Sequence, residues 1–312
     1  MSSPVHPPPP PHAHELRWRR NQPLPVHRPS FHLRLRRLKR QIESMRPPPR
    51  SDVLIPAQAH PRWAVYFVYS LSGAAFDQHR FTVQQLRQDG WPVLVVLACA
   101  ERPSTAVVAQ WRQHGASALL WKEPHGFDLS GLRPALQHLL GRSPGCDVLW
   151  LNDSLLGPFH SVYELVRHTP WRVTGFASCF IIEPHIQSYA LFLRTLDASL
   201  MQALSQVVPG SHCLNQHSAV AFVQETRLAR HLSQQGSVGT LWSPLRDDMD
   251  LTMAYPYELV EDGFPFLKRS ILGKFSDFFT TSDALAMLRR WGHPVRDFEL
   301  FEGCGAFLQT TP

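Results

Sequence analysis

From Trp63 onward the chain alternates apolar runs with polar segments of helical period. The first run, "WAVYFVYS" (63–70), has no polar alternation, the pattern of a strand covered on both faces. A polar loop and a helix-like stretch follow in "FDQHRFTVQQLRQDG" (76–90), and a second apolar strand in "WPVLVVLAC" (91–99). The pattern then predicts a helix in "PSTAVVAQWRQHG" (103–115), a short strand in "SALLWK" (117–122), a helix in "LSGLRPALQHLLG" (129–141) and a strand in "CDVLWLND" (146–153). Strands alternating with helices, several of them closed by glycine, predict a mostly parallel sheet with helices on its faces, a Rossmann-like α/β domain.

In such sheets ligands bind where loops leave the carboxyl ends of the strands. Asn152-Asp153-Ser154 stands at such an end, followed by the Gly157-Pro158 turn, so Asp153 is expected in the ligand crevice. The alternative is that these three residues cap their own turn through side-chain hydrogen bonds. No GxGxxG follows the first strand and no GxxxxGK[ST] occurs, so dinucleotide and P-loop fingerprints are missing. The histidines form no HExxH set.

The first 60 residues read differently. Twelve of the chain's 28 prolines lie within the first 50, including the run Pro7 to Pro11, and predict a disordered Pro/Arg-rich arm. Within it "FHLRLRRLKRQIESM" (31–45) spaces Phe31, Leu35, Leu38, Ile42 and Met45 by fours and threes among basic residues, a basic amphipathic helix. Such a helix either attaches to an anionic membrane surface or packs on a protein. The expected organisation is therefore an arm over 1–60 containing the helix 31–45, a folded domain over 61–290 and a C-terminal extension over 291–312.

Charge sharpens this division. The net +6 conceals eleven Lys/Arg against two acids in residues 1–50, so the remaining chain carries a net −3. A nucleic-acid-binding body should carry its basic footprint on the folded part, so no nucleic-acid partner is expected. The longest strongly apolar run, Trp91 to Ala100, is ten residues long, short of the roughly 20 that span a bilayer. With no secretory-type apolar segment near its start, the chain is expected to be cytoplasmic. Five scattered cysteines without a CxxC pair suggest buried free thiols.

The order of motifs resembles the rhamnan-synthesis F family of bacterial polysaccharide glycosyltransferases. "EPHGFDLSGLRPAL" is similar to that family's Asn-x-Gly-Tyr-Asp-Phe segment through Gly126, Phe127 and Asp128, although Pro124-His125 stands where its Asn is expected. Its Asn-Asp-Ser-x-x-Gly-Pro is present in full at Asn152, Asp153, Ser154, Gly157 and Pro158. "HIQSY" (185–189), "QETRLARHLSQQG" (224–236) and "GFPFLKRSIL" (263–272) resemble its later motifs, and together these cover about residues 62–275.

That resemblance implies a GT-A-type glycosyltransferase domain that moves a sugar, with rhamnose as one expectation, from a nucleotide-sugar donor to a surface polysaccharide or lipid-linked glycan. It implies Asp153 near the donor, alone or through Mg²⁺ or Mn²⁺, and Glu225 as the general base that deprotonates the acceptor. Asp128, Asn152, Ser154, Lys268 and Arg269 are then donor-side candidates, and His185, Gln187 and Ser188 acceptor- or sugar-side candidates. Glu225 otherwise reads as a solvent-facing helical residue paired with Arg227 or Arg230. His185 to Ser188 otherwise read as a helix cap, and Lys268-Arg269 as a solvated pair starting a helix. Asp248-Met249-Asp250 reads first as an acidic surface loop. The rival to an enzyme is a glycan-binding or polysaccharide-assembly protein that keeps the fold. The expected site of action is the cytoplasm or the inner face of the plasma membrane.

Overall fold

The computed structural model describes residues 14–16, 31–181, 184–244, 249–296 and 298. Ten strands form one sheet: β1 His14–Leu16, β2 Ser51–Ile55, β3 Arg62–Tyr69, β4 Val93–Ala98, β5 Ala118–Lys122, β6 Asp147–Asn152, β7 Val173–Cys179, β8 His185–Ile186, β9 Ala190–Leu193 and β10 Val238–Trp242. Their order is β1-β10-β7-β9-β6-β3-β4-β5-β2, with β8 added to β7. Strands β5, β4, β3 and β6 are mutually parallel, as are β7 and β10, while β9 runs antiparallel between β6 and β7. The mostly parallel α/β sheet expected from the sequence pattern is what the chain forms.

Both faces of the sheet are covered. In β3, Trp63, Val65 and Phe67 enter one apolar layer and Ala64, Tyr66 and Val68 the other. That two-sided burial explains why the strand reads as a continuous apolar run. The first layer is roofed by α4 (Leu129–Arg142) through Leu132, Leu136 and Leu139, and by the helix Ala198–Ser205 through Leu200 and Leu204. The second is roofed by α2 (Asp77–Gln88) through Val83 and Leu86, and by α3 (Thr105–Gln113) through Trp111.

The sheet also takes in residues that the sequence pattern assigns to the arm. β2 pairs antiparallel with β5, Ser51 opposite Lys122 and Val53 opposite Leu120. Its polar, largely exposed "SDVLI" carries little periodic signal because an edge strand buries few of its side chains. The predicted amphipathic helix is present as α1, Phe31–Ser44. Pro7 to Pro11 and "FEGCGAF" (301–307) lie outside the described residues. Among the described residues no helix is long and apolar enough to cross a membrane.

Gly141-Arg142-Ser143-Pro144-Gly145 has GxSxG spacing, but it leads from α4 into β6, the reverse of a strand-to-helix nucleophile elbow. The Ser143 hydroxyl donates to the His60 carbonyl at 2.7 Å and accepts from the His60 N–H at 2.7 Å, a fastening role at the opposite pole from Asp153.

Beyond β6 the short strand Leu155–Leu156 pairs antiparallel with Leu267–Lys268, Lys268 opposite Leu155. Gly157 follows with φ +127°, and a Cβ there would lie 2.5 Å from the Pro265 carbonyl oxygen. Its own carbonyl accepts from the Thr82 hydroxyl at 2.7 Å. Neither the backbone angle nor the space admits a side chain, so Gly157→Ala is expected to lower the unfolding free energy by roughly 3 kcal/mol, measured by urea denaturation. A loss within error of zero would mean that the clamp between the two short strands yields freely.

Candidate active site

The carboxyl ends of β3, β5 and β6 converge with the approach to β9, and side chains of unusual chemistry collect there. Asp153 is only 8% exposed, and its Oδ2 accepts the Tyr69 backbone N–H from the end of β3 at 2.9 Å. Burial pushes its carboxyl above the ordinary range, opposed by the nearby Arg269 guanidinium and by backbone hydrogen bonds. Arg269 is held there by its own backbone N–H, which donates to the Ser154 carbonyl at 2.8 Å. The short-strand clamp thus sets a positive charge against the strand-end carboxylate.

Asn152 connects this carboxylate to a second one. Its Nδ2 donates to Asp128 Oδ2 at 2.7 Å, and its Oδ1 accepts from the Ser154 backbone N–H at 3.2 Å and from the Ser154 hydroxyl. Asp128 also caps α4, accepting the Leu129 N–H at 2.9 Å. Burial raises the Asp128 carboxyl, the Asn152 amide lowers it, and the negative charge of Glu225 raises it further. Asn152-Asp153-Ser154 therefore do bond to their own turn, as the capping alternative has it, and also reach across the strand ends.

Lys122, which closes β5, was not singled out by sequence reasoning. A lysine after "ALLW" looks like an ordinary polar strand end, yet this residue has no exposed surface. Its ammonium donates to the carbonyls of His125 (3.0 Å) and Phe127 (3.4 Å), fixing the loop that carries Asp128, and it lies 5.6 Å from the Phe67 ring centre. Burial lowers its pKa to about 8, against the attraction of Cys213, Asp128 and Glu123. Between that value and the 10.5 of an unperturbed lysine the unfolded chain binds the extra proton, so folding is favoured progressively as pH rises through this window. Compared with Lys122→Met, the wild-type chain should gain on the order of 3 kcal/mol of unfolding free energy between about pH 7 and about pH 11. Parallel pH profiles for the two proteins would remove Lys122 as the source.

The second half of the cluster comes from the segment before β9. Ser188, 8% exposed, donates its backbone N–H (2.7 Å) and its hydroxyl (3.0 Å) to Glu225 Oε1. Gln187 accepts from Lys268 Nζ at 3.1 Å and bonds the Asp250 carboxylate. Lys268 also pairs with Asp250 at 3.4 Å and lies 4.8 Å from the Tyr189 ring centre. Burial alone would raise the Asp250 carboxyl, but Lys268, Gln187 and Thr252 outweigh it and hold it below the ordinary range. His185 is buried in β8, where it pairs with Cys179 of β7.

Two expectations are corrected by these contacts. Asp250 is not part of a solvated acidic loop: it is half-buried, caps Leu251–Ala254 and binds Lys268. Asp248 lies outside the described residues. Glu225 lies inside a longer helical run. The helical run begins at His217–Ala219, passes through a π segment, Val220–Glu225, and continues as Thr226–Leu232, so Glu225 sits at the π-to-α junction. Half-buried and bonded twice by Ser188, Glu225 is not the solvent-facing residue of the alternative reading, and Arg227 turns to His231 at 3.4 Å. A π segment changes which side chains face inward, a change of period that a 3.6-residue reading misses.

Asp153 with Ser154 does not make a donor set for a divalent cation, and Asp248, the other acid of the Asp-x-Asp, lies outside the described residues. Among the described residues no three His, Cys, Asp or Glu side chains gather as a ligand set. The acid at the strand end already has a guanidinium beside it, and Ser154 gives its hydroxyl to Asn152. Positive charge at this pole comes instead from Lys268, Arg269 and Lys122.

No family model matches the chain, and no curated protein sequence matches it. Among solved structures it is similar to a mannosyltransferase from Pyrobaculum calidifontis in complex with GDP-Man and Mn²⁺, at 14% identity over 69% of this chain and 65% of that one, with a TM-score of 0.36. It is also similar to HddC from Yersinia pseudotuberculosis, at 6% identity over 58% of this chain and 90% of that one, again with a TM-score of 0.36. At that level the likenesses carry no argument, and what the site can do follows from its own geometry.

Proposed function

We propose that the protein is a GT-A-type glycosyltransferase that moves a sugar from a nucleotide-sugar donor to a glycan or lipid-linked acceptor, with inversion at the anomeric carbon. The observation that carries this reading is Glu225: a half-buried carboxylate, oriented by two hydrogen bonds from Ser188, at the pole where Asp128, Asp153, Lys268 and Arg269 gather. A base held in one orientation, with Lys268 and Arg269 at the same pole of the sheet, is what a displacement with an anionic leaving group needs.

In the proposed reaction the Glu225 carboxylate takes the proton of an acceptor hydroxyl. The hydroxyl oxygen attacks the anomeric carbon, and the bond from that carbon to the donor's diphosphate oxygen breaks. The electron pair leaves with the diphosphate, whose developing charge Lys268 and Arg269 stabilise. Asp153 and Asp128 face the donor sugar, where carboxylates accept hydrogen bonds from hydroxyls, and Gln187 and Ser188 border the acceptor. Rhamnose as the sugar and a surface polysaccharide as the product belong to the same proposal, with the enzyme working on the cytoplasmic side.

A thermal-shift screen of nucleoside diphosphates and nucleotide sugars, with and without Mg²⁺ or Mn²⁺, tests it, followed by transfer assays with the donors that stabilise the protein. A rise in melting temperature with at least one nucleotide sugar and turnover of that donor are expected. Binding of a glycan with no binding of any nucleoside diphosphate would instead make this a sugar-binding protein on a transferase scaffold.

A further inference from the structure

Helix α1 turns its apolar stripe outward. Leu35, Leu38 and Ile42, with Met45 just past the helix end, are spaced by three and four residues and are 46%, 52%, 61% and 37% exposed. Lys39 and Arg40 on the same helix are exposed, and Arg36 and Arg37 precede them in sequence. An isolated exposed leucine is ordinary, but a continuous aliphatic stripe on a helix so rich in arginine implies a surface that is both apolar and anionic.

Charge selects the occupant. Residues 1–50 carry all the surplus positive charge and the rest of the chain is net negative, so an anionic plane attracts the α1 side and repels the body. Nucleic acid would use the arginines and leave the aliphatic stripe in water. A bilayer with anionic headgroups satisfies both, with side chains at the acyl boundary and cations at the phosphates.

The end of α1 is fastened to the candidate active site. Ser44 is fully buried, and its hydroxyl accepts the backbone N–H groups of Asn215 (2.9 Å) and Gln216 (3.1 Å). Gln216 directly precedes the helical run that carries Glu225, and Asn215 Oδ1 accepts the Gly126 N–H (2.9 Å) from the loop that presents Asp128. Met45–Arg46 pairs with Cys213–Leu214 just before it. A surface seated on α1 therefore lies along the rim from which both carboxylates are presented.

We propose that α1 is a docking helix for an anionic lipid bilayer, inserting Leu35, Leu38, Ile42 and Met45 at the headgroup level and holding the rim of the site against the membrane. The orientation of the site toward a lipid-linked acceptor rests on the transferase reading. The docking itself does not.

Co-sedimentation of the full chain with phosphatidylcholine vesicles, and with vesicles containing about one-third phosphatidylglycerol, tests it. Partitioning should be at least about tenfold stronger on the anionic vesicles, and Leu38→Asp with Ile42→Asp should lose that advantage. Both side chains are exposed, so the melting temperature and the turnover of a soluble acceptor should stay unchanged. As a second readout, an environment-sensitive fluorophore on Ile42→Cys should shift to the blue with anionic vesicles only. Absence of vesicle binding, or binding that survives both aspartates and vanishes with salt alone, overturns the proposal. So does binding to polyglutamate without binding to vesicles, which would make the stripe a protein site. Vesicle binding by a chain that turns over no nucleotide sugar would overturn the enzyme reading and leave the docking helix standing.

Discussion

Glu225→Gln is expected to lower sugar transfer by about 10²–10⁴-fold while leaving the fold and donor binding intact. Glutamine has the same shape, and its carbonyl oxygen can accept the two bonds that Ser188 now gives to Glu225 Oε1. The π-to-α junction is therefore undisturbed, and only the capacity to take a proton is lost. Calorimetry with the donor nucleotide should give an affinity within about threefold of wild type, because a base acting on the acceptor contributes little to donor binding. A variant that kept more than about a tenth of wild-type transfer would move the base elsewhere, with Asp128 the next carboxylate to test.

Asp153→Asn should reduce transfer by about a hundredfold and leave the protein as stable as wild type or slightly more so. The carboxyl pKa lies above its unfolded value because burial outweighs the Arg269 charge. Below the unfolded value both states are protonated and ionisation costs folding nothing. As pH rises through the window between the two values that cost appears, and it is complete above the folded value. An asparagine keeps an oxygen for the Tyr69 N–H and removes the cost, although it leaves Arg269 without a neighbouring anion. If Asp153 served only its own turn, the same substitution would change activity little. Thermal melts set beside transfer rates separate the two roles.

The parts of this molecule that show in its sequence are those whose burial is complete. β3, β4, β5 and β6 are packed on both faces, so their apolar runs needed no partner to be recognised. β2 is an exposed edge and β9 an antiparallel insertion between two strands of the opposite sense, and neither direction nor neighbour is written in four or five residues. The chemistry divides in the same way. Asn152, Asp153 and Ser154 stand out because small polar residues end an apolar strand. Their partners Asp128 and Arg269 join them only through long-range hydrogen bonds. Lys122 reads as an ordinary strand end and Asp250 as a surface loop for one physical reason: a charged residue in sequence is presumed solvated, and only the folded chain shows one buried and the other paired.

The pairing of Leu155–Leu156 with Leu267–Lys268 also sets an order in time. A ribosome delivers the chain from its N-terminus, so Asp153 is made well before the segment that brings Arg269 to it. Until that segment emerges the strand-end carboxylate lacks the guanidinium that faces it in the folded chain. The pole cannot close as a by-product of folding the first parallel strands. It closes only when the late segment adds its two residues to the early loop, so the site cannot be complete before that segment has been made.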